Sequence, residues 1–178
     1  MMNRKLANSE LNRLNIDEFK TAEKRPIVLI LDNIRSQHNI GAAFRTGDAF
    51  RIEKVYLCGI CATPPTAEIH KSALGAENSV EWEYLKDTAD AIQKLKNQGY
   101  TIVGVEQTEN SIALNKFTIE EDKKYALIFG NEVKGVAQPL LDYCDYCIEI
   151  PQEGTKHSLN VSVSIGVVLW DFYCKMIK

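Results

Sequence analysis

No apolar run in the 178-residue sequence reaches the ~18 residues that a membrane-spanning helix needs. The N-terminal stretch MMNRKLANSELNRLN has no apolar signal core either, so the expectation is a cytoplasmic protein without a bilayer span. Internal repeats and low-complexity tracts are missing too, which removes solenoid architectures. The dinucleotide fingerprint G-x-G-x-x-G does not occur. A P-loop-like spacing runs from Gly130 to Gly135, but Lys134 precedes the second glycine and Val136 stands where a Ser or Thr is required, so a Walker A site is excluded. Net charge is also small: 21 Lys and Arg against 24 Asp and Glu, a formal −3. That balance argues against a protein that coats nucleic acid nonspecifically. Only the first 54 residues are net basic, by three charges, enough for a local meeting with phosphate.

What is present fits one ordinary globular domain. Apolar residues make up 45% and charged residues 25% of the chain, and the length suits a single core rather than two. Cysteine is the exception. Cys58 and Cys61 form one C-x-x-C pair, and Cys144 and Cys147 form another. The interval between the pairs far exceeds the ~15–20 residues of compact zinc ribbons. Both pairs also lie in strand-like apolar surroundings, VYLCGI and YCDYCIEI, so they read as reduced core thiols. A zinc-stapled interaction module is the alternative, and no metal site is expected.

Residues 1–25 are polar, with scattered Leu11, Leu14, Ile16 and Phe19, and read as a helical extension outside the main core. Its cations are Arg4, Lys5, Arg13, Lys20, Lys24 and Arg25. From residue 26 onward strand-like and helix-like segments alternate. IVLILD, KVYLCG, SVEWEYL, YTIVGV, YALIFG and CIEIP read as strands. NIGAAFRTGDAF, TAEIHKSAL and DTADAIQKLKNQG read as helices between them, the first with Asn39 as its N-cap. The class is therefore α/β: a parallel sheet with helices on both faces, binding ligands at the loops beyond the carboxyl ends of its strands.

Three such loops hold candidate chemistry. After IVLILD, Asn39, Gly41 and Arg45 combine a helix start, open N–H groups and a guanidinium, a natural cradle for phosphate or carboxylate. YALIFG ends on Gly130, which admits close backbone approach, and the loop NEVKGV after it carries the carboxylate of Glu132. After CIEIP comes SLNVSVSIGVVLW, which is ambiguous. Leu159, Val161, Val163, Ile165 and Val167 alternate with small polar residues as in a half-buried strand, yet the run ends VVLWDFYCKMIK, apolar on every side as a buried helix would be. Periodicity leaves both readings open.

Together the three segments resemble the SpoU (TrmH) family of RNA ribose methyltransferases, within the SPOUT superfamily. N-x-G-x-x-x-R stands as Asn39, Gly41 and Arg45, and F-G-x-E-x-x-G as Phe129, Gly130, Glu132 and Gly135. The third motif, I-P-x…S-L-N-V-S-V, stands as Ile150, Pro151 and Ser158 to Val163. The resemblance implies a SPOUT domain over residues 26–178 with a C-terminal deep trefoil knot, the third motif opening its last helix. It implies S-adenosylmethionine as cofactor, held at Gly130, Ile150 and Leu159, and methyl transfer to a ribose 2′-hydroxyl of RNA. No metal is implied, because the sulfonium is already a good leaving group.

It also implies Arg45 as the catalytic residue, Asn39 positioning it, and Glu132, Ser158 and Asn160 holding the loops in register. A guanidinium is effectively never deprotonated, so the role that fits Arg45 is phosphate binding and stabilisation of alkoxide charge. The partners implied are RNA and a second copy of the chain, paired through the last helix with its Val167, Val168, Trp170 and Phe172. GYTIVGVEQTENSIALNKF and CIEIPQEGTKHSLNVSVS further resemble catalytic domains of eukaryotic tRNA guanosine-18 methyltransferases, which favours tRNA over ribosomal RNA. A non-catalytic RNA-binding protein on the same fold is the remaining alternative.

Overall fold

A strand that is apolar at every position has to be covered on both faces. The run around IVLILD is buried in just that way in the computed structural model, which describes residues 3–177. The chain begins with α1 (Ile16–Thr21), then β1 (Arg25–Asp32), α2 (Gln37–Ala49), β2 (Ile52–Cys58), α3 (Ala67–Ala73) and β3 (Glu81–Leu85). It continues with α4 (Thr88–Asn97), β4 (Tyr100–Val105), β5 (Ile112–Ala113), β6 (Lys124–Phe129), α5 (Gln138–Leu141), β7 (Tyr146–Glu149) and α6 (Val161–Met176). The strands form one parallel sheet in the order β3-β2-β1-β6-β4-β7-β5. Alternate β1 residues divide the core. Ile27, Leu29 and Leu31 share a cluster with Phe44, Ile69 and Phe172 of α2, α3 and α6. Val28 and Ile30 meet Ile92 and Leu95 of α4 and Leu140 of α5 on the other face.

The alternating segment is a helix. In α6, Ile165, Val168, Leu169 and Phe172 are buried, at the i, i+3, i+4, i+7 spacing of one helical face. Val163, Val167 and Trp170 form a second stripe, 50%, 38% and 57% exposed. Two apolar stripes on one helix overlay to mimic the period of a strand. Of the residues expected at an interface, Val168 and Phe172 therefore belong to the core, and only Val167 and Trp170 face outward.

Two local expectations are corrected. Helix α2 starts before Asn39: Ser36 is its cap, with Oγ accepting the Asn39 N–H at 3.3 Å. Asn39 lies in the first turn and is buried, so its side chain is free for another task. The N-terminal segment is also tied to the core, because Phe19 of α1 is only 4% exposed there. Lys24 donates to the Ala22 carbonyl at 3.0 Å and sits 4.5 Å over the Phe19 ring. Arg25 lies over Tyr173 at 5.5 Å.

The cysteines occupy separate places. Cys58 and Cys61 are buried, and burial pushes their thiols up to about 12 and about 11. Cys144 and Cys147 are half-buried. Strands β2 and β7 stand four strand spacings apart in the sheet, ~19 Å at the usual interval, too far for four thiolates to share one ion. Among the described residues no group of three or more His, Cys, Asp or Glu is placed to hold a metal.

Gly41 marks a close contact between α2 and α3. A Cβ there would lie 2.1 Å from Ser72 Oγ and 2.4 Å from the Ile69 carbonyl oxygen of α3. A backbone carbonyl cannot rotate away, so Gly41→Ala is expected to destabilise the fold by about 1–3 kcal/mol. Gly47→Ala, whose Cβ would meet only the Ile52 side chain at 2.6 Å, serves as the milder comparison. Equal unfolding temperatures for the two variants would contradict this account.

Candidate functional site

Because β1, β6, β4 and β7 are adjacent and parallel, their carboxyl ends share one edge of the sheet. The segments that follow them, around residues 33–36, 130–137, 106–111 and 150–160, project from that edge together. The segments after β6, β4 and β7 line an open cavity of about 830 Å³, whose walls include Gly130, Glu132, Ile150, Ser158, Leu159 and Asn160. Six of the eight residues expected in the site thus line one cavity, drawn from two of the three motifs.

The first motif joins through a carboxylate. Glu132 accepts from the N–H groups of Arg35 and Ser36 and from the Asn39 side-chain amide, each at 3.0 Å. The positive end of α2 was expected to cradle an anion, and the anion it holds is the protein's own Glu132. Burial works to raise the Glu132 carboxyl, but the Arg35 and Ser36 N–H groups and the Asn39 amide outweigh it and hold the acid below its ordinary value. Asn39 is therefore a clamp between α2 and the loop after β6.

Gly130 also has a reason within the loop itself. A Cβ there would stand 2.1 Å from the Gly135 carbonyl carbon and 2.2 Å from Val136 N. The loop folds back on itself, with Asn131 N–H to Gly135 O at 3.1 Å and Gly135 N–H to Asn131 O at 2.8 Å. Asn160 caps α6, accepting from the Ser162 N–H at 2.8 Å and the Ser162 hydroxyl at 2.6 Å. Residues 151–160 ahead of it are all exposed. Arg45 stands apart. It is exposed on α2 and does not line the cavity.

Two residues were missed. Glu106 and Gln107, just past β4, line the cavity. Gln107 donates to the His157 carbonyl at 3.0 Å, tying the end of β4 to the loop before α6. The available signal was position: both follow a buried parallel strand at its carboxyl end, where ligand loops lie.

Residues 26–170 match the model of the SpoU rRNA Methylase family. The chain belongs to that family. A similar relative is the 23S rRNA (guanosine-2'-O-)-methyltransferase RlmB of Vibrio vulnificus, 32% identical over 162 residues. That match covers 91% of this chain and 64% of the relative, so the SpoU family chain spans under two thirds of the relative's length. The crystal structure of the A. aeolicus TrmH/SpoU tRNA modifying enzyme superposes with a TM-score of 0.77 at 25% identity, covering 88% of this chain and 78% of that one. An AdoMet-bound rRNA methyltransferase from Sinorhizobium meliloti gives 0.76 at 25% identity, over 84% and 56%. In this SpoU family chain the second and third motifs lie in loops that line the cavity, and the first meets them through the Asn39–Glu132 hydrogen bond.

Proposed function

We propose that the protein is an S-adenosylmethionine-dependent RNA methyltransferase acting on a ribose 2′-hydroxyl, with tRNA favoured over ribosomal RNA. The observation that carries the reading is the cavity at the carboxyl ends of β4, β6 and β7, where the second and third motifs meet and Glu132 binds in the first. Its volume of about 830 Å³ falls within the ~300–1,000 Å³ of small-molecule sites. Its walls fit the cofactor. Val105, Leu141, Ile150 and Leu159 offer apolar surface to an adenine ring. The charged lining includes Glu106, Glu132 and Glu149 against Lys134, an excess of negative charge that suits a ligand bearing a sulfonium and an ammonium and opposes a polyphosphate.

The cofactor supplies an electrophilic methyl group on a leaving thioether, so the protein has to align an oxygen and manage one proton. Gly130, Ile150 and Leu159 would hold the cofactor through backbone groups. Glu132 and Asn39 would keep the loop after β6 against α2, and Ser158 and Asn160 would set the start of α6. Arg45 would bind the phosphate next to the target ribose and stabilise charge on the attacking oxygen, while phosphate or water accepts the proton.

Since Arg45 does not line the cavity of its own chain, it acts in this reading on the cavity of a second copy. The exposed Val163, Val167 and Trp170 stripe of α6 provides an apolar face for such a homodimer. The C-terminal trefoil threading belongs to the same proposal, supported by the insertion of β6 between β1 and β4 and the return of α6 onto α2. So does RNA docking by residues 1–25, where Lys5, Arg13 and Lys20 are exposed. The test is incubation with labelled S-adenosylmethionine and separate tRNA and ribosomal RNA pools. Label entering tRNA is expected; label entering ribosomal RNA alone would overturn the substrate preference, and label in neither would overturn the activity.

A further inference from the structure

The loop that carries Glu132 is held at both ends by carboxylates, and only one of them belongs to a motif. At its Asn131 end, Glu132 grips the Arg35–Ser36 turn ahead of α2. At its Val136 end, Glu106 of the β4 terminus does the gripping. Glu106 Oε2 accepts the Val136 N–H at 2.8 Å, and Oε1 accepts the Gln107 N–H at 2.9 Å. The contact is built into the backbone. Gly135 has φ +66°, and a Cβ there would lie 2.1 Å from Glu106 Oε2, so only glycine allows the carboxylate to lie so close against the loop. Beyond this, Glu106 lines the cavity with the loop it holds, and its neighbour Gln107 reaches the His157 carbonyl across the same cavity.

We propose that Glu106 is a positioning residue: its carboxylate locks residues 131–136 in the shape from which the cofactor pocket is made. The claim rests on the methyltransferase reading for the identity of the cofactor, and on geometry alone for the lock. Both hydrogen bonds run from neutral N–H groups to an ionised acceptor, the stronger class. Glu106→Gln keeps the size and one acceptor oxygen but turns an NH₂ toward one of the two donors. One bond is then lost, and a donor faces a donor. Glu106→Ala removes both.

Two measurements on the full chain test this, each made on the starting protein, on Glu106→Gln and Glu106→Ala, and on Glu109→Gln as a control outside the loop. Amide exchange of residues 131–136 without ligand is expected to speed up ~10-fold or more in the Gln variant, and further in the Ala variant, from the loss of hydrogen bonds to a charged acceptor. Calorimetric affinity for S-adenosylmethionine and for S-adenosylhomocysteine is expected to fall in the same order by a similar factor, while the unfolding midpoint stays that of the control. Unchanged exchange in both Glu106 variants overturns the proposal, whatever the affinities do. Faster exchange with unchanged affinity overturns the claim that the lock serves the cofactor. Absence of cofactor binding in the starting protein overturns both that claim and the methyltransferase reading, and faster exchange would then leave Glu106 as a loop brace only.

Discussion

Arg45→Ala is expected to lower the single-turnover rate of methyl transfer by about 10²–10³-fold, the range for removing one donor that stabilises developing oxyanion charge. Cofactor affinity should be unaltered, because the side chain is exposed on α2 and does not line the cavity. Arg45→Lys should recover little, since an ammonium is a point charge without the planar fork that meets phosphate at two points. A lysine variant retaining nearly the full rate would defeat that argument. The position of Arg45 also gives the prediction a spatial form. An Arg45→Ala chain mixed with a chain that cannot bind cofactor should regain activity, because the intact guanidinium of one copy would serve the intact cavity of the other. If mixing restored nothing while mixed dimers formed, Arg45 would have to act within its own chain.

Gly130→Ala is the companion case, with the effect transferred from rate to binding. All three atoms nearest to the added Cβ are backbone: Gly135 C at 2.1 Å, Val136 N at 2.2 Å and Gly135 O at 2.3 Å. No rotamer relieves such a contact, so the loop has to open, breaking its Asn131–Gly135 bridge and withdrawing the Val136 N–H from Glu106. Overpacking of this kind costs about 1–3 kcal/mol, and if that cost falls on the bound form, affinity for S-adenosylmethionine drops ~10–100-fold. Gly154→Ala, in the segment before α6, meets nothing within 4 Å and should bind as the starting protein does. Titration calorimetry of the two variants is the check. Equal affinities would mean that the loop shape is not what the cofactor requires.

Much of the sheet could be read from the sequence because parallel strands covered on both faces are continuous apolar runs, as in β1, β4 and β6. The C-terminal helix could not be read from periodicity. Its core stripe and its outward stripe are both apolar, and their overlay has the period of a strand; the motif it opens with was the better guide. The cap of α2 was misassigned because Ser36 and Asn39 are both good N-cap residues three positions apart, and nothing local says that the Asn39 amide is engaged by a carboxylate 93 residues away. Separation along the chain hid Glu106 too, whose partner Val136 lies 30 residues on. Residue types in the site were legible; the pairings among them depended on which loops the sheet order brings side by side.

The most direct measurement of the whole account is the chemical position of the transferred methyl group. RNA labelled by the protein from S-adenosylmethionine, digested to nucleosides and resolved by mass, is expected to carry the label on ribose, at a linkage that resists alkaline cleavage because its 2′-oxygen is blocked. Label found on a base atom, with alkali cleaving every linkage, would contradict an arrangement built to bring a sugar oxygen to the cofactor next to a guanidinium.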